Sequence, residues 1–290
     1  MPFELYSASQ LDWLLSCPSL INPGHFGYAS NYCPDWSTLK QSALASQLPK
    51  TIHSTRQGLL AEQLFLTALN ALSNYQVFGH NIQVFDQNRR TLGEMDFIYQ
   101  QPNGRFVHLE LAVKFYLQTT NGQPVWLGPN ATDTLCNKLK SLHQQQTQLS
   151  THPSAIQHLA TLGVGAVNPT SLVLGQLFYH LFQGRQDSSS LLNPQHRRGY
   201  WIHLNEYEKA ATHPSIHSKR WRILEKADWI TASTTRPCLG YAPWNTLLEQ
   251  VNQKIASGDH TMLEANDSKL PGVLPLRIFI APNIWPNIEH

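Results

Sequence analysis

Asp96 and Glu110 are two carboxylates whose type and spacing could do chemistry together. They lie between Gly93 and Leu117, a stretch that reads as two strands joined by a turn. In the second strand Val107, Leu109, Leu111, Val113 and Phe115 alternate with His108, Glu110, Ala112 and Lys114. One face is therefore apolar, and the other carries a carboxylate and a lysine. In the first strand Glu94, Asp96 and Ile98 share a face, against Met95, Phe97 and Tyr99. Pro102-Asn103-Gly104 suits a three-residue loop that pairs Gln101 with Arg105. Counting back sets Asp96 opposite Glu110. A two-residue turn would set the apolar faces against each other, because a one-residue slip flips every side chain. Directly opposed residues have Cβ atoms about 4.5–5.5 Å apart. Carboxylates that close repel unless a proton or a divalent cation intervenes.

The hairpin needs neighbours to hold it. Residues 54–73 carry Leu60, Leu64 and Ala68 at helical spacing, with Glu62 among apolar residues. Residues 75–85 read as a strand, 131–149 as a polar helix bearing Lys138, and 171–182 as a buried strand. A short helix over 8–21 stops at Pro18, and residues 22–53 are irregular apart from a helix near 37–47. Beyond a loop at 184–195, strands are expected at 199–204, 222–230 and 276–281, with a helix at 243–257. The fold class is α/β. A core over 54–183 has a central mixed sheet flanked by helices, and residues 1–53 and 184–290 pack onto it.

The chain has 290 residues, 14% of them charged, and a formal charge of +2. That is below the roughly 25% charge usual in soluble proteins and excludes a strongly basic nucleic-acid binder; any basic surface is local. Arg197-Arg198 is one such local pair. Four widely spaced cysteines, none in a Cys-x-x-Cys pair, suggest reduced thiols. The N-terminus lacks a signal-peptide pattern and no run is long enough to span a bilayer, so a cytoplasmic protein is expected.

The order helix, three strands, helix, strand, with Gly93-Glu94-Met95-Asp96 and then Glu110 and a lysine, resembles the PD-(D/E)XK nuclease superfamily. More closely, the chain resembles a bacterial family, domain of unknown function 1853. That resemblance rests on Glu110 to Leu117, on Gly128-Pro-Asn with Asp133, Leu135 and Lys138, on Gly199-Tyr-Trp201, and on Arg277 to Pro282 with Trp285-Pro286. The superfamily resemblance implies a restriction-endonuclease-like core. It also implies Mg²⁺ or Mn²⁺ held by Asp96, Glu110 and the Leu111 carbonyl, and DNA or RNA as substrate.

The motif departs from the superfamily at one position. Ala112 stands where a lysine is usual, and Lys114 follows two residues later. Along a regular strand its Cα lies about 13 Å from that of Glu110. Lys114 is preferred as the replacement cation and Lys138 is the other candidate, while Glu62 could complete the metal shell. His108 is expected to be structural or exposed, and the tryptophans to pack in the core. The leading expectation is a metal-dependent nuclease. The alternative is a catalytically degenerate relative that binds nucleic acid or a protein.

Overall fold

A computed structural model describes residues 3–39, 56–119, 122, 124–184, 189–232, 240–266 and 275–287. Helix α1 (Phe3–Ser16) ends before Pro18, which cannot continue it. Helix α2 (Gln57–Asn70) buries Leu60, Ala61, Leu64, Phe65, Ala68 and Leu69 along one stripe. Strands β1 (Gln76–Phe85), β2 (Thr91–Gln100) and β3 (Phe106–Gln118) follow. The short β4 (Trp126–Leu127) pairs with the end of β3. Then come helix α3 (Leu135–Ser141), helix α4 (Pro153–Thr161) and strand β5 (Val167–His180). The remaining chain supplies β6 (Arg197–His203), β7 (Arg220–Leu224), β8 (Ala242–Pro243), helix α5 (Leu248–Ala256), β9 (Thr261–Ala265) and β10 (Arg277–Ala281).

The ten strands among the described residues belong to one mixed sheet in the order β1-β2-β3-β5-β6-β10-β9-β7-β8, with β4 beside β3. β1, β2 and β3 run antiparallel, while β3, β5, β6 and β10 are parallel neighbours. The sheet therefore crosses the expected boundary at residue 184 without a break, through the β5–β6 pairing. Gly175 of β5 makes a close approach possible: a Cβ there would lie 1.7 Å from the Lys114 carbonyl oxygen.

Alternation sorts the side chains into two layers. Val107, Leu109, Leu111 and Phe115 pack with α1, α2, Trp201, Trp229 and Trp285. On the opposite face Ala112 and Tyr116 pack with Leu135, Leu139 and Leu142. Trp221 and Trp244 anchor a further cluster under α5. The tryptophans at 201, 221, 229, 244 and 285 are all buried, as core packing requires.

Several local readings change. The stretch 222–230 is not one strand: β7 ends at Leu224 and a 3₁₀ turn, Lys226–Ile230, carries Trp229 into the core. The helix over 243–257 starts as a 3₁₀ turn. The helix near 37–47 falls almost wholly outside the described residues, where only the 3₁₀ turn Trp36–Thr38 is seen. The 131–149 helix is interrupted: α3 passes into a π turn, Leu142–Gln146, closed by Thr147 N–H donating to the Leu142 carbonyl. Among the described residues no helix is long and apolar enough to cross a membrane.

Candidate functional site

The hairpin turn forms as its residues dictate. Gln101 N donates to Arg105 O at 2.9 Å and Gly104, at φ +81°, closes the loop. The β2–β3 ladder runs from Gln100↔Phe106 to Phe97↔Leu109, the register that sets Asp96 against Glu110. It stops one pair short of them. By that register the Leu111 N–H would meet the Met95 carbonyl; instead it donates to Asp96 Oδ2 at 2.8 Å. The Asp96 carboxyl thus lies in the plane of the sheet, in a gap between β2 and β3.

The β1–β2 ladder breaks at the same place. His80 pairs with Phe97 and Ile82 with Met95, but Asn81 and Asp96 between them do not pair. Asn81 has φ +53°, which turns the strand over. Alternation is lost there on both strands. His80 stacks on Phe97 in the α2 layer, whereas Ile82 and Met95 pack under α4 with Ile98. The reading that put Glu94, Asp96 and Ile98 on one face fails for this reason, and Glu94 is exposed.

The gap opens to both layers. From the α2 side, Glu62 Oε2 accepts a 3.4 Å hydrogen bond from Asn81 Nδ2 and lies 4.0 Å from His80 Nε2. Asn81 Oδ1 and His80 Nε2 are buried without a hydrogen-bond partner. On the α3 side Glu110 is fully buried. Its Oε1 lies 2.8 Å from His108 Nε2, and its Oε2 accepts from Gln146 Nε2 at 3.1 Å. His108 is also fully buried and its Nδ1 meets Ser150 Oγ at 3.0 Å. His108 is therefore structural in the sense expected, yet it orients a site carboxylate.

The cation beside the pair comes from α3. Lys138 Nζ donates to Gln146 Oε1 at 2.9 Å, so one amide bridges Lys138 to Glu110. Ala112, at the usual lysine position, is small enough for Leu139 and Leu142 of this helical segment to pack against β3. Lys114 turns elsewhere. Its Nζ donates to Asp133 Oδ2 at 2.6 Å, and Tyr116 OH donates to the same oxygen at 2.9 Å. Asp133 sits on the loop between β4 and α3, within reach of Lys114 without any backward lean along the strand. The geometry thus favours Lys138 over the preferred Lys114.

Charges respond to this arrangement. Burial and then the Glu110 carboxylate push Asp96 up to about 8, with Glu62 adding to the rise and the Leu111 N–H and Lys138 opposing it. Glu62 is also raised, first by burial and then by Glu94 and Glu110, against the Asn81 hydrogen bond. Burial, then Lys114, lowers Lys138, while Glu110, Asp96 and Asp133 hold it up. The pair lacks full compensation from the chain itself.

In an extended strand a residue turns its N–H and C=O to the same neighbour, so the Leu111 carbonyl faces β2. Two carboxylates and that carbonyl form a hard-oxygen donor set of the kind Mg²⁺ and Mn²⁺ take. The profile of the family described as Domain of unknown function (DUF1853) matches residues 10–269. The chain belongs to that family. The match spans β1 to β9 and so takes in every residue of this site. Neither curated proteins nor solved structures give a match.

Gln146, Asn81 and His80 are site residues of this DUF1853 chain that the pattern of the sequence did not single out. Asn81 had a signal: asparagine is depleted in strands and enriched at positive φ. Gln146 had none, because it is the π turn that aims it. Such turns recur at functional sites.

Proposed function

We propose that this protein is a divalent-cation-dependent phosphodiesterase acting on DNA or RNA, with a core related to the PD-(D/E)XK nucleases. The observation that carries the reading is the Asp96–Glu110 pair at a break in both ladders, with Asp96 held beside a second carboxylate and pushed up to about 8. Asp96, Glu110 and the Leu111 carbonyl would hold Mg²⁺ or Mn²⁺. Such an ion polarises a phosphoryl oxygen and lowers the pKa of a water by several units. Lys138, positioned by Gln146, supplies the ammonium that the superfamily motif places two residues after its glutamate. His108 fixes the Glu110 carboxylate, and Glu62 with Asn81 offers acceptors for water on the other side of the gap.

A second reading is a degenerate relative that binds nucleic acid or a protein without cleaving. Both oxygens of Glu110 already have partners, and no cluster of three His, Cys, Asp or Glu with metal-binding geometry occurs among the described residues. On the first reading the Gln146 Nε2 gives up Glu110 Oε2 when a cation enters, while its Oε1 keeps Lys138. Calorimetric titration of Mn²⁺ into wild type, Asp96→Ala and Glu110→Ala tests the site: binding by wild type and its loss in both variants is expected. No binding by wild type, or equal binding by all three, sinks it. If Mn²⁺ binds but no DNA or RNA substrate is cut, the degenerate reading takes over. A mobility shift that weakens steeply with salt would then identify nucleic acid as its partner.

A further inference from the structure

We propose that Arg197, on the face of the sheet opposite Glu110, and the neighbouring Arg198 form a binding site for a phosphate group. Arg197 lies on β6 beside Gln176 of β5, and Gln176 lies beside Phe115 of β3. Phe115 and Glu110 are an odd number of residues apart on β3, so they point to opposite faces.

Arg197 is 6% exposed, yet no described carboxylate pairs with it. Its Nη2 donates to the Trp13 carbonyl at 3.2 Å and to Ser16 Oγ at 3.0 Å, at the end of α1. Its guanidinium stands 4.8 Å from the centre of the Trp13 ring. Capping α1 explains Nη2 alone. Nε and Nη1 are buried and have no hydrogen-bond partner.

A buried ion without a counter-charge is costly, and each unmet buried donor adds to that cost. A water could satisfy a donor but not the charge. Arg197 borders a cavity of about 230 Å³, whose other walls include Trp13, Gln176, Arg198, Leu276 and Arg277. That volume exceeds the share of a single water, about 30 Å³, several times over.

Local charge selects the ligand. Arg222 and Arg277 both bond Glu264, and the buried Asp228 carboxylate adds to the negative charge felt by Arg222. Every donor atom of Arg277 is already engaged, so it contributes field rather than contacts. Arg198 is exposed and lines the same cavity; its Nη2 donates to the Pro194 carbonyl, and it adds a second cation with no described carboxylate partner. Two cations without a described carboxylate partner, with two unpartnered donors on one of them, suit a dianion with several acceptor oxygens. A phosphate, free or as a monoester, fits better than a single carboxylate.

The test titrates inorganic phosphate, a nucleoside monophosphate and acetate into the full chain at constant ionic strength. Calorimetry and the thermal midpoint serve as readouts, since a ligand of the folded state raises that midpoint. Saturable binding of phosphate or the monophosphate is expected, with acetate weaker. Tighter binding of the monophosphate would point to an ester, and binding of phosphate alone to the free ion. Arg198→Ala, which alters an exposed residue, should weaken binding about tenfold, and Arg197→Lys should weaken it further. Asp96→Asn should leave it unchanged, so failure of the cation site does not obscure the result. Absence of saturable binding in wild type, equal binding of acetate, or wild-type affinity in both arginine variants would overturn the proposal.

Discussion

Glu110 and Glu264 are both fully buried carboxylates, and they are handled in opposite ways. Glu264 on β9 receives Arg222 on one oxygen, at 3.2 and 2.7 Å, and Arg277 on the other, at 3.0 and 2.9 Å. Tyr241 OH adds a 3.1 Å hydrogen bond, and Arg277 goes on to cap the Trp229 and Thr231 carbonyls. Cations within the chain meet that charge completely. Glu110 has an imidazole and a neutral amide, and a second carboxylate across the gap. The first arrangement ties three strands and a loop together. The second leaves electrostatic work that a cation from solution can do, and this difference separates a structural buried acid from a candidate site.

Removing the satisfied carboxylate should have the largest effect. Glu264→Ala strands two guanidinium groups and should cost about 3–5 kcal/mol of unfolding free energy, read from urea titration. A loss below about 1 kcal/mol, the range of exposed pairs, would show that the triad does not differ from a surface ion pair.

Lys138→Ala comes next. It should lower divalent-cation-dependent cleavage by about 10²–10³-fold, the usual scale for one electrostatic group in a transition state. Retention of full cleavage would return the role to another cation.

The pH dependence of stability sharpens the contrast further. Asp96 titrates near 8 in the folded state, above the ordinary carboxylate value. The folded chain therefore holds a proton that the unfolded chain has lost, and stability falls as pH rises between about 4 and 8, by up to about 1.4 kcal/mol per unit. Asp96→Asn should flatten that slope, and so should Mn²⁺ at pH 8. Urea midpoints measured across this range decide it, and identical slopes in wild type and variant would refute the assignment.

The smallest effect belongs to Lys114→Ala. Its pair with Asp133 is about one-third exposed on each side, and pairs of that kind contribute up to about 1 kcal/mol. Cleavage should persist. A drop comparable to that of Lys138→Ala would reverse the ranking of the two lysines.

Local chemistry made the frame of the site legible in the sequence. Pro102-Asn103-Gly104 specified the loop, and the alternation of Val107 to Phe115 specified the face of β3. The leucines of α2 announced its buried stripe. Illegible features depended on partners distant in the chain. Asp96 leaves its face because the Leu111 N–H offers a bond in the sheet plane, which no periodicity records. Lys114 is claimed by Asp133, nineteen residues on. Strand β9 has only five residues, with Thr261 and Glu264 among Met262, Leu263 and Ala265, so no periodicity marks it, and two arginines on neighbouring strands make the burial of Glu264 tolerable. Helix α4 does carry a signal, Pro153 at its first turn.

The unbroken run of the sheet through β5 bears on how the chain must be made and handled. β5 is a strand of fourteen residues whose last eleven are buried, and the far edge of its last five, Gln176–His180, is paired with Arg197–Trp201. During synthesis that edge waits, unpaired and apolar, until at least this later segment emerges. Open strand edges of this kind template association with other chains. A fragment cut at residue 183 would keep both carboxylates and both candidate lysines, yet should accumulate as insoluble aggregate, while the full chain stays in solution. Comparing the two by sedimentation after expression would check it.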